Sequence, residues 1–285
     1  MPAKTWTWAF TASFYNHDSD RMIEACRASG VRALEVHPQN VDGLRDDELV
    51  ALRKKHEAQG ISINSFHLPF ATDDDIASFY ETQRQRAVGR MNRYIRVAGL
   101  LGARVVIQHP TTNRYNAGEN GLDRYFEQLH RSLQEMLPAA RQARVVIGLE
   151  NMTPGEYGAG RFFSEAGHFA RLSRELTDPS VGYVYDTGHA LMSAGPDAIQ
   201  ILEAMGDHIA AWHLADNAGD RDSHLAPGHG AVDWDAVFRH AARLRFAAPV
   251  TMETAPWGFG PDYAMETWRE SVQTLDALVE RALAG

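Results

Sequence analysis

The stretch IAAWHLADNAGDRDSHLAPGH, residues 209–229, opens as an apolar run and continues as a polar, glycine-containing loop. Its first six residues read as a buried strand, and from the strand end onward it carries His213, Asp216, Asp220, Asp222, His224 and His229. Oxygen and imidazole donors at that density make a poor core and a good cradle for a divalent cation. A segment with helical periodicity, DWDAVFRHAARLR (233–245), follows.

The same unit of strand, polar loop and helix recurs along the chain. Strand-like runs are TWTWAF (5–10), RALEVH (32–37), SINSFHL (62–68), RVVIQH (104–109), RVVIGLE (144–150), VGYVYD (181–186), IAAWHL (209–214) and PVTMET (249–254). Helical patterns separate them, with Gly30 and Gly60 as stop signals and a long helix expected over about residues 73–99. Alternating β and α runs require parallel strands with right-handed crossovers, and eight such units close most naturally into a (β/α)8 TIM barrel. An open doubly wound sheet is disfavoured because no G-x-G-x-x-G follows the first run. No linker or low-complexity tract divides the chain, so residues 1–285 are expected to form a single barrel domain.

Composition narrows the partners. A formal charge of −9 argues against nucleic acid or another polyanion. No apolar run approaches the roughly 18 residues that span a bilayer, and the N-terminus lacks secretory-signal features, so no membrane role and a cytoplasmic location are expected. The single cysteine, Cys26, excludes an intrachain disulfide and a thiolate cluster and reads as a small buried hydrophobe.

Barrel enzymes place their chemistry where strands end. His67, His109, Glu150, Asp186, His213 and Glu253 close strands three to eight, and the loops add His189, Asp222 and His224. Singly, each could be a hydrogen-bonded structural histidine or a helix-capping carboxylate. Jointly, so many ionisable groups around one mouth would be prohibitively unfavourable without cations to pair them. Mixed His and carboxylate donors without sulfur suit Mn²⁺ first, with Zn²⁺, Co²⁺, Mg²⁺ or Fe²⁺ as alternatives. Trp6, Trp8, Phe14, Phe66, Phe70 and Trp257 are candidate apolar walls for a sugar face, and His56, His130, His168, His208 and His240 fall on the outer helices.

The segments LENMTPG, VYDTGHALMSAG, WHLADNAGDRDSHLAPGHGAVDW and TMETAP resemble the xylose isomerase-like barrel superfamily, which spans sugar isomerases, ketose 3-epimerases and apurinic-site endonucleases. The resemblance to the epimerase branch implies that Glu150, Asp186, His213 and Glu253 bind one metal ion. It also implies that Glu150 and Glu253 are the catalytic acid and base, and that Glu156 and His189 contact substrate, with His67, His109 and Trp257 as further substrate-binding candidates. The endonuclease branch implies additional metal ligands at His67, His109, His189, Asp222 and His224. His229 replaces a glutamate found in many relatives.

The expected activity is therefore a divalent-metal-dependent sugar or keto-sugar isomerase or epimerase. It would abstract a proton alpha to a carbonyl through a metal-stabilised enediolate, with dehydration as a variant outcome. A multinuclear zinc phosphoesterase and a non-catalytic sugar-binding barrel are the alternatives. The expected partner is a small carbohydrate, and a homo-oligomer paired through outer helices is compatible with the sequence.

Overall fold

A computed structural model describes residues 6–15, 19–244, 249–255 and 267–284. The strands are β1 (Trp8–Thr11), β2 (Ala33–Val36), β3 (Ser62–His67), β4 (Val105–Gln108), β5 (Val146–Glu150), β6 (Val181–Asp186), β7 (Ile209–Leu214) and β8 (Val250–Met252). They pair in chain order, all parallel, and β8 closes onto β1 in one eight-stranded barrel. All eight expected runs thus give strands: β6 and β7 coincide with theirs, β1 starts later and ends one residue further on, and the other five are a little shorter.

Strand periodicity sets what fills the barrel. Because side chains alternate between faces, residues of one parity point inward. Val105 and Ile107 of β4, Val184 of β6 and Ala211 of β7 pack together as a separate buried apolar cluster. Two residues further along the same strands come His109, Asp186 and His213. Ionisable groups therefore occupy the layer directly above an apolar one. Gly148 serves this arrangement: a Cβ there would lie 2.7 Å from Val184 Cγ2 and 3.2 Å from Val105 Cγ1, so the inward position beneath Glu150 has room only for hydrogen.

Outside the barrel, the amphipathic helices Glu81–Leu101 and Leu122–Ala143 pack against each other. Their close approach depends on Gly99, where a Cβ would come within 2.9 Å of Ala143 Cβ. The long helix begins at Glu81, later than the expected residue 73. Asp74 Oδ2 accepts from Ala71 N at 2.9 Å and Asp75 Oδ1 from Ala77 N at 3.0 Å, so these side chains satisfy local backbone donors and favour turns over helix. Cys26 is buried as expected, and burial pushes its thiol up to about 12, with Arg32 opposing weakly.

Several aromatic residues belong to packing. Trp6 and Trp8 stack on each other and meet Phe238 edge-on, while Trp8 Nε1 donates to Asp276 at 2.9 Å. Phe66 is buried against Tyr94. Phe70, half exposed, meets His67 edge-on and stacks on His109, with centroids 4.9 and 4.8 Å away, and the Phe14 ring centre lies 4.9 Å from that of His224. Phe14 and Phe70 therefore border histidines at the strand ends, while Trp6, Trp8 and Phe66 pack elsewhere. Trp257 lies outside the described residues.

His168 is buried, and its Nδ1 accepts a hydrogen bond from Phe163 N at 3.1 Å, which requires the neutral ring. Burial and Arg171 lower its pKa from 6.5 to about 4. A depressed histidine stabilises the fold fully above its unfolded pKa and loses that contribution as pH falls from about 6.5 through 4. The stability advantage of the wild type over His168→Gln should therefore shrink by about 3 kcal/mol between pH 7 and 4. Urea unfolding at both pH values measures it, and a pH-independent gap would refute the assignment. Among the described residues, no helix is long and apolar enough to cross a membrane.

Candidate metal centre

The C-terminal ends of the strands converge on one buried cluster. His213 Nδ1 lies 2.8 Å from Glu150 Oε1, 2.9 Å from Glu253 Oε2 and 4.0 Å from Asp186 Oδ2. One ligand atom from each of these four residues falls within 4.8 Å of the others, and all four side chains are buried. Asp186 Oδ2 is enclosed without a hydrogen-bond partner, and Glu150 Oε2 is enclosed with no well-aligned hydrogen bond, its nearest donor being His109 Nε2 at 3.0 Å. Burying a carboxylate oxygen that way is strongly unfavourable unless a cation meets it. The donor set and these enclosed oxygens fit a divalent ion.

A second group adjoins the first through Glu150. Its Oε2 lies 3.0 Å from His109 Nε2 and 3.7 Å from His67 Nε2, and these three residues also bring ligand atoms together. On the other side, Asp222 Oδ2 stands 3.3 Å from His189 Nε2 and 3.2 Å from His224 Nε2. Three histidines share one orientation. His67 Nδ1 donates to Leu68 O at 2.8 Å, His189 Nδ1 to Asn151 O at 2.8 Å, and His224 Nδ1 to Glu253 O at 2.9 Å. A carbonyl only accepts, so each Nδ1 carries the proton and each Nε2 is turned toward the cluster, as a metal-binding imidazole requires.

Asp186 has two tasks. As N-cap of the helix Thr187–Ala194 its Oδ1 accepts from His189 N at 2.6 Å, leaving Oδ2 for the centre. Asn151 braces it: Asn151 Oδ1 accepts from Asp186 N at 2.7 Å and Asn151 Nδ2 donates to Asp186 O at 2.9 Å, which locks β5 to β6 beneath their ligands.

Burial opposes every charge in the cluster, and the neighbours decide the outcome. It raises the carboxyls of Glu150, Glu35 and Glu253, but His213 overrides it, holding Glu150 and Glu35 well below the usual carboxylate range and Glu253 below it. Asp186 is raised to about 7, because burial, Glu150 and Glu253 outweigh His189. Burial works against charge on His213, yet Glu253, Glu35 and Glu150 keep it well above the ordinary imidazole value, as Asp186 and Asp222 do for His189. His224 is raised to about 9 by Asp222 and Glu253 against burial, whereas burial prevails at His109 and lowers it to about 4.

The loop after β7 is shaped by Asp216. This buried carboxylate accepts from Gly228 N, Val232 N and Trp234 Nε1 at 2.9, 3.0 and 3.0 Å, and its backbone bridges Leu225. Gly230 passes so close that a Cβ would lie 2.4 Å from Asp216 Oδ1. Asp216 thus presents Asp222 and His224 to the mouth without joining the cluster itself. Asp220 and His229 are exposed on the same loop.

Glu156 does not join the cluster. It sits on an exposed 3-10 turn six residues past β5, anchored by its backbone N donating to Arg114 O at 2.9 Å, and lines a lateral cavity of about 370 Å³ with Asp75 and Tyr125. Two residues that the sequence reading passed over do join. Glu35, fully buried, lies 3.0 Å from His213 Nε2, and His37 stacks on His67 with centroids 4.9 Å apart. The signal was available, since Ala33, Glu35 and His37 share the inward parity of β2.

The family model described as xylose isomerase-like TIM barrel matches residues 23–278. An uncharacterized protein of Sinorhizobium fredii is 27% identical over 271 residues, covering 87% of this chain and 85% of its own. Among solved structures, a D-tagatose 3-epimerase-like protein superposes with a TM-score of 0.78 at 19% identity, covering 97% of this chain and 99% of the other. An L-ribulose 3-epimerase superposes with a TM-score of 0.78 at 16% identity, covering 98% and 96%. With its closed parallel barrel and a family match over most of its length, the chain belongs to the xylose isomerase-like TIM barrel family.

Proposed function

We propose that this protein is a divalent-metal-dependent isomerase or epimerase of a small sugar or keto-sugar. One observation carries the reading: two ionised glutamates, Glu150 and Glu253, flank His213 Nδ1 at 2.8 and 2.9 Å inside a buried four-ligand cluster with an unpartnered carboxylate oxygen on Asp186. The epimerases among the structural neighbours support the same reading. Glu150, Asp186, His213 and Glu253 would hold the ion, with Mn²⁺ the first choice. When bound, it supplies polarisation of a substrate carbonyl and acidifies the adjacent C–H.

The remaining work belongs to the side chains. Glu150 and Glu253 arrive from β5 and from the end of β8, on different sides of the cluster, so one can take the proton from a C–H and the other can return it on the opposite face. Asn151 and Asp216 hold the frame. Phe70 and Phe14 offer apolar surface at the mouth for the sugar's C–H face. His189 and His67, with His109, border the cluster and can donate to or accept from hydroxyls.

The test is a panel of ketopentoses and ketohexoses incubated in D₂O with Mn²⁺, read by NMR for deuterium at carbons next to the carbonyl. Exchange should require the ion, vanish with chelator and return on re-addition. Ion uptake should also release protons and tighten as pH rises, because imidazoles held protonated by the carboxylates must give up protons to bind. Absence of exchange across the panel would overturn the reading.

A second reading, a multinuclear phosphoesterase, is favoured by the adjoining His67–His109–Glu150 group and by Asp222 between His189 and His224. About three tightly bound Zn²⁺ per chain together with cleavage of abasic DNA would establish it instead.

A further inference from the structure

Among the described histidines of the cluster, His213 is the one whose ring is reversed. His67, His189 and His224 turn Nε2 inward and fix Nδ1 on a backbone carbonyl, whereas His213 turns Nδ1 inward, between Glu150 and Glu253. Its outer nitrogen, Nε2, meets no carbonyl. It lies 3.0 Å from Oε2 of Glu35, which reaches across the barrel from β2 to β7.

Glu35 is built into that position. The register between β2 and β3 shifts at Leu34/Glu35, pairing Leu34 with Ile63 but Glu35 with Ser65. The extra residue, Asn64, is on β3, so the bulge brings Ser65 opposite Glu35. Ser65 Oγ then donates to Glu35 Oε2 at 2.8 Å, and the carboxylate is wholly enclosed. Its other oxygen, Oε1, has no hydrogen-bond partner, with His37 Nε2 3.4 Å away and engaged at 2.8 Å with Thr11 Oγ1. An enclosed carboxylate with an orphaned oxygen is a poor stabilising device. Its geometry suits another role.

We propose that Glu35 is a positioning residue that accepts the Nε2–H of His213, fixing the ring and tautomer that present Nδ1 to the divalent ion. The inference rests on His213 being a ligand, as the proposed function has it. A ligating imidazole whose second N–H is held by a carboxylate gains in basicity and loses rotational freedom, and removing such a partner characteristically weakens metal binding about 10–100-fold. Glutamine at position 35 has the shape but not the charge.

The experiment uses the full chain, freed of metal, and measures Mn²⁺ binding by isothermal titration alongside the thermal midpoint of the metal-free protein. The variants are Glu35→Gln, Ser65→Ala and His213→Ala, and long-range ¹H–¹⁵N correlation reports the His213 tautomer. Glu35→Gln should weaken Mn²⁺ about 10–100-fold without changing the stoichiometry, disturb the His213 tautomer signature, and leave the metal-free midpoint unchanged or raised. Ser65→Ala, which keeps the Glu35 contact, should have a smaller effect.

A Glu35→Gln protein that binds Mn²⁺ as tightly as the wild type, or that only melts earlier, would overturn the proposal. Loss as complete as in His213→Ala would overturn it too, by making Glu35 a ligand. Failure of the wild type to bind Mn²⁺ would overturn the reading of the site itself, so the two failures are distinguishable.

Discussion

Glu253→Gln should leave the protein folded and able to bind a divalent ion, yet slow exchange of substrate C–H protons with solvent by about 10²–10⁴-fold. A carboxamide keeps an oxygen that can ligate but has no basic lone pair of useful strength. Glu253 is ionised here because His213, 2.9 Å away, offsets the burial that would otherwise keep its proton on. Glu150→Gln should do the same to exchange and weaken the ion as well, since Glu150 touches both ligand groups. Solvent-deuterium incorporation by NMR, with metal content measured in parallel, separates the two effects. Exchange at the wild-type rate in either variant would remove that glutamate from the proton-transfer role.

His213→Ala should be the most damaging single change. It deletes the cation that Glu35, Glu150 and Glu253 all approach within 3.0 Å. Leaving buried carboxylates without their partner destabilises proteins by about 3–5 kcal/mol. Metal analysis after dialysis should find the ion lost, and urea unfolding should show the deficit at neutral pH. The sign with pH follows from the direction of the shifts. His213 holds these carboxyls below their ordinary values, so its contribution is present above about pH 4 and fades as the carboxyls protonate below it. The variant's deficit should narrow in acid. A variant with wild-type metal content, or a deficit that does not narrow, would sink the assignment.

The fold was legible because β and α periodicities alternate without interruption, and each apolar run ends where a polar loop begins. The gathering of Glu150, Asp186, His213 and Glu253 at one end of the barrel was legible for the same reason. Inward parity carries Val105 and Ile107 to His109, and Ala211 to His213. What escaped the sequence depends on contacts across the barrel. Glu35 lies inside a run that reads as ordinary strand; its inward parity can be counted from the sequence, but its meeting with His213 across the barrel cannot. The Asn151 brace is likewise invisible until β5 and β6 are side by side. Glu156 stands apart from the cluster because the turn anchored on Arg114 carries it to the cavity it shares with Asp75 and Tyr125, a placement that depends on contacts between loops. The late start of the helix at Glu81 reflects aspartates that cap their own turns, a competition that apolar periodicity does not register. Trp6 and Trp8 mislead because an aromatic at a strand's beginning packs outward on helices, while one just past its end, such as Phe70, reaches the mouth.

The apolar layer of Val105, Ile107, Val184 and Ala211 gives the centre a direction. On β4, β6 and β7 the layer below the ionisable groups is the apolar side chains Val105, Ile107, Val184 and Ala211, whose low polarisability screens their field weakly, while Phe70 and Asp222 stand on the other side. The field of the cluster is therefore strongest on the side away from that layer, as low-dielectric walls focus charge in a cleft. On the proposed function, a cation and a polar substrate would approach the cluster from that side.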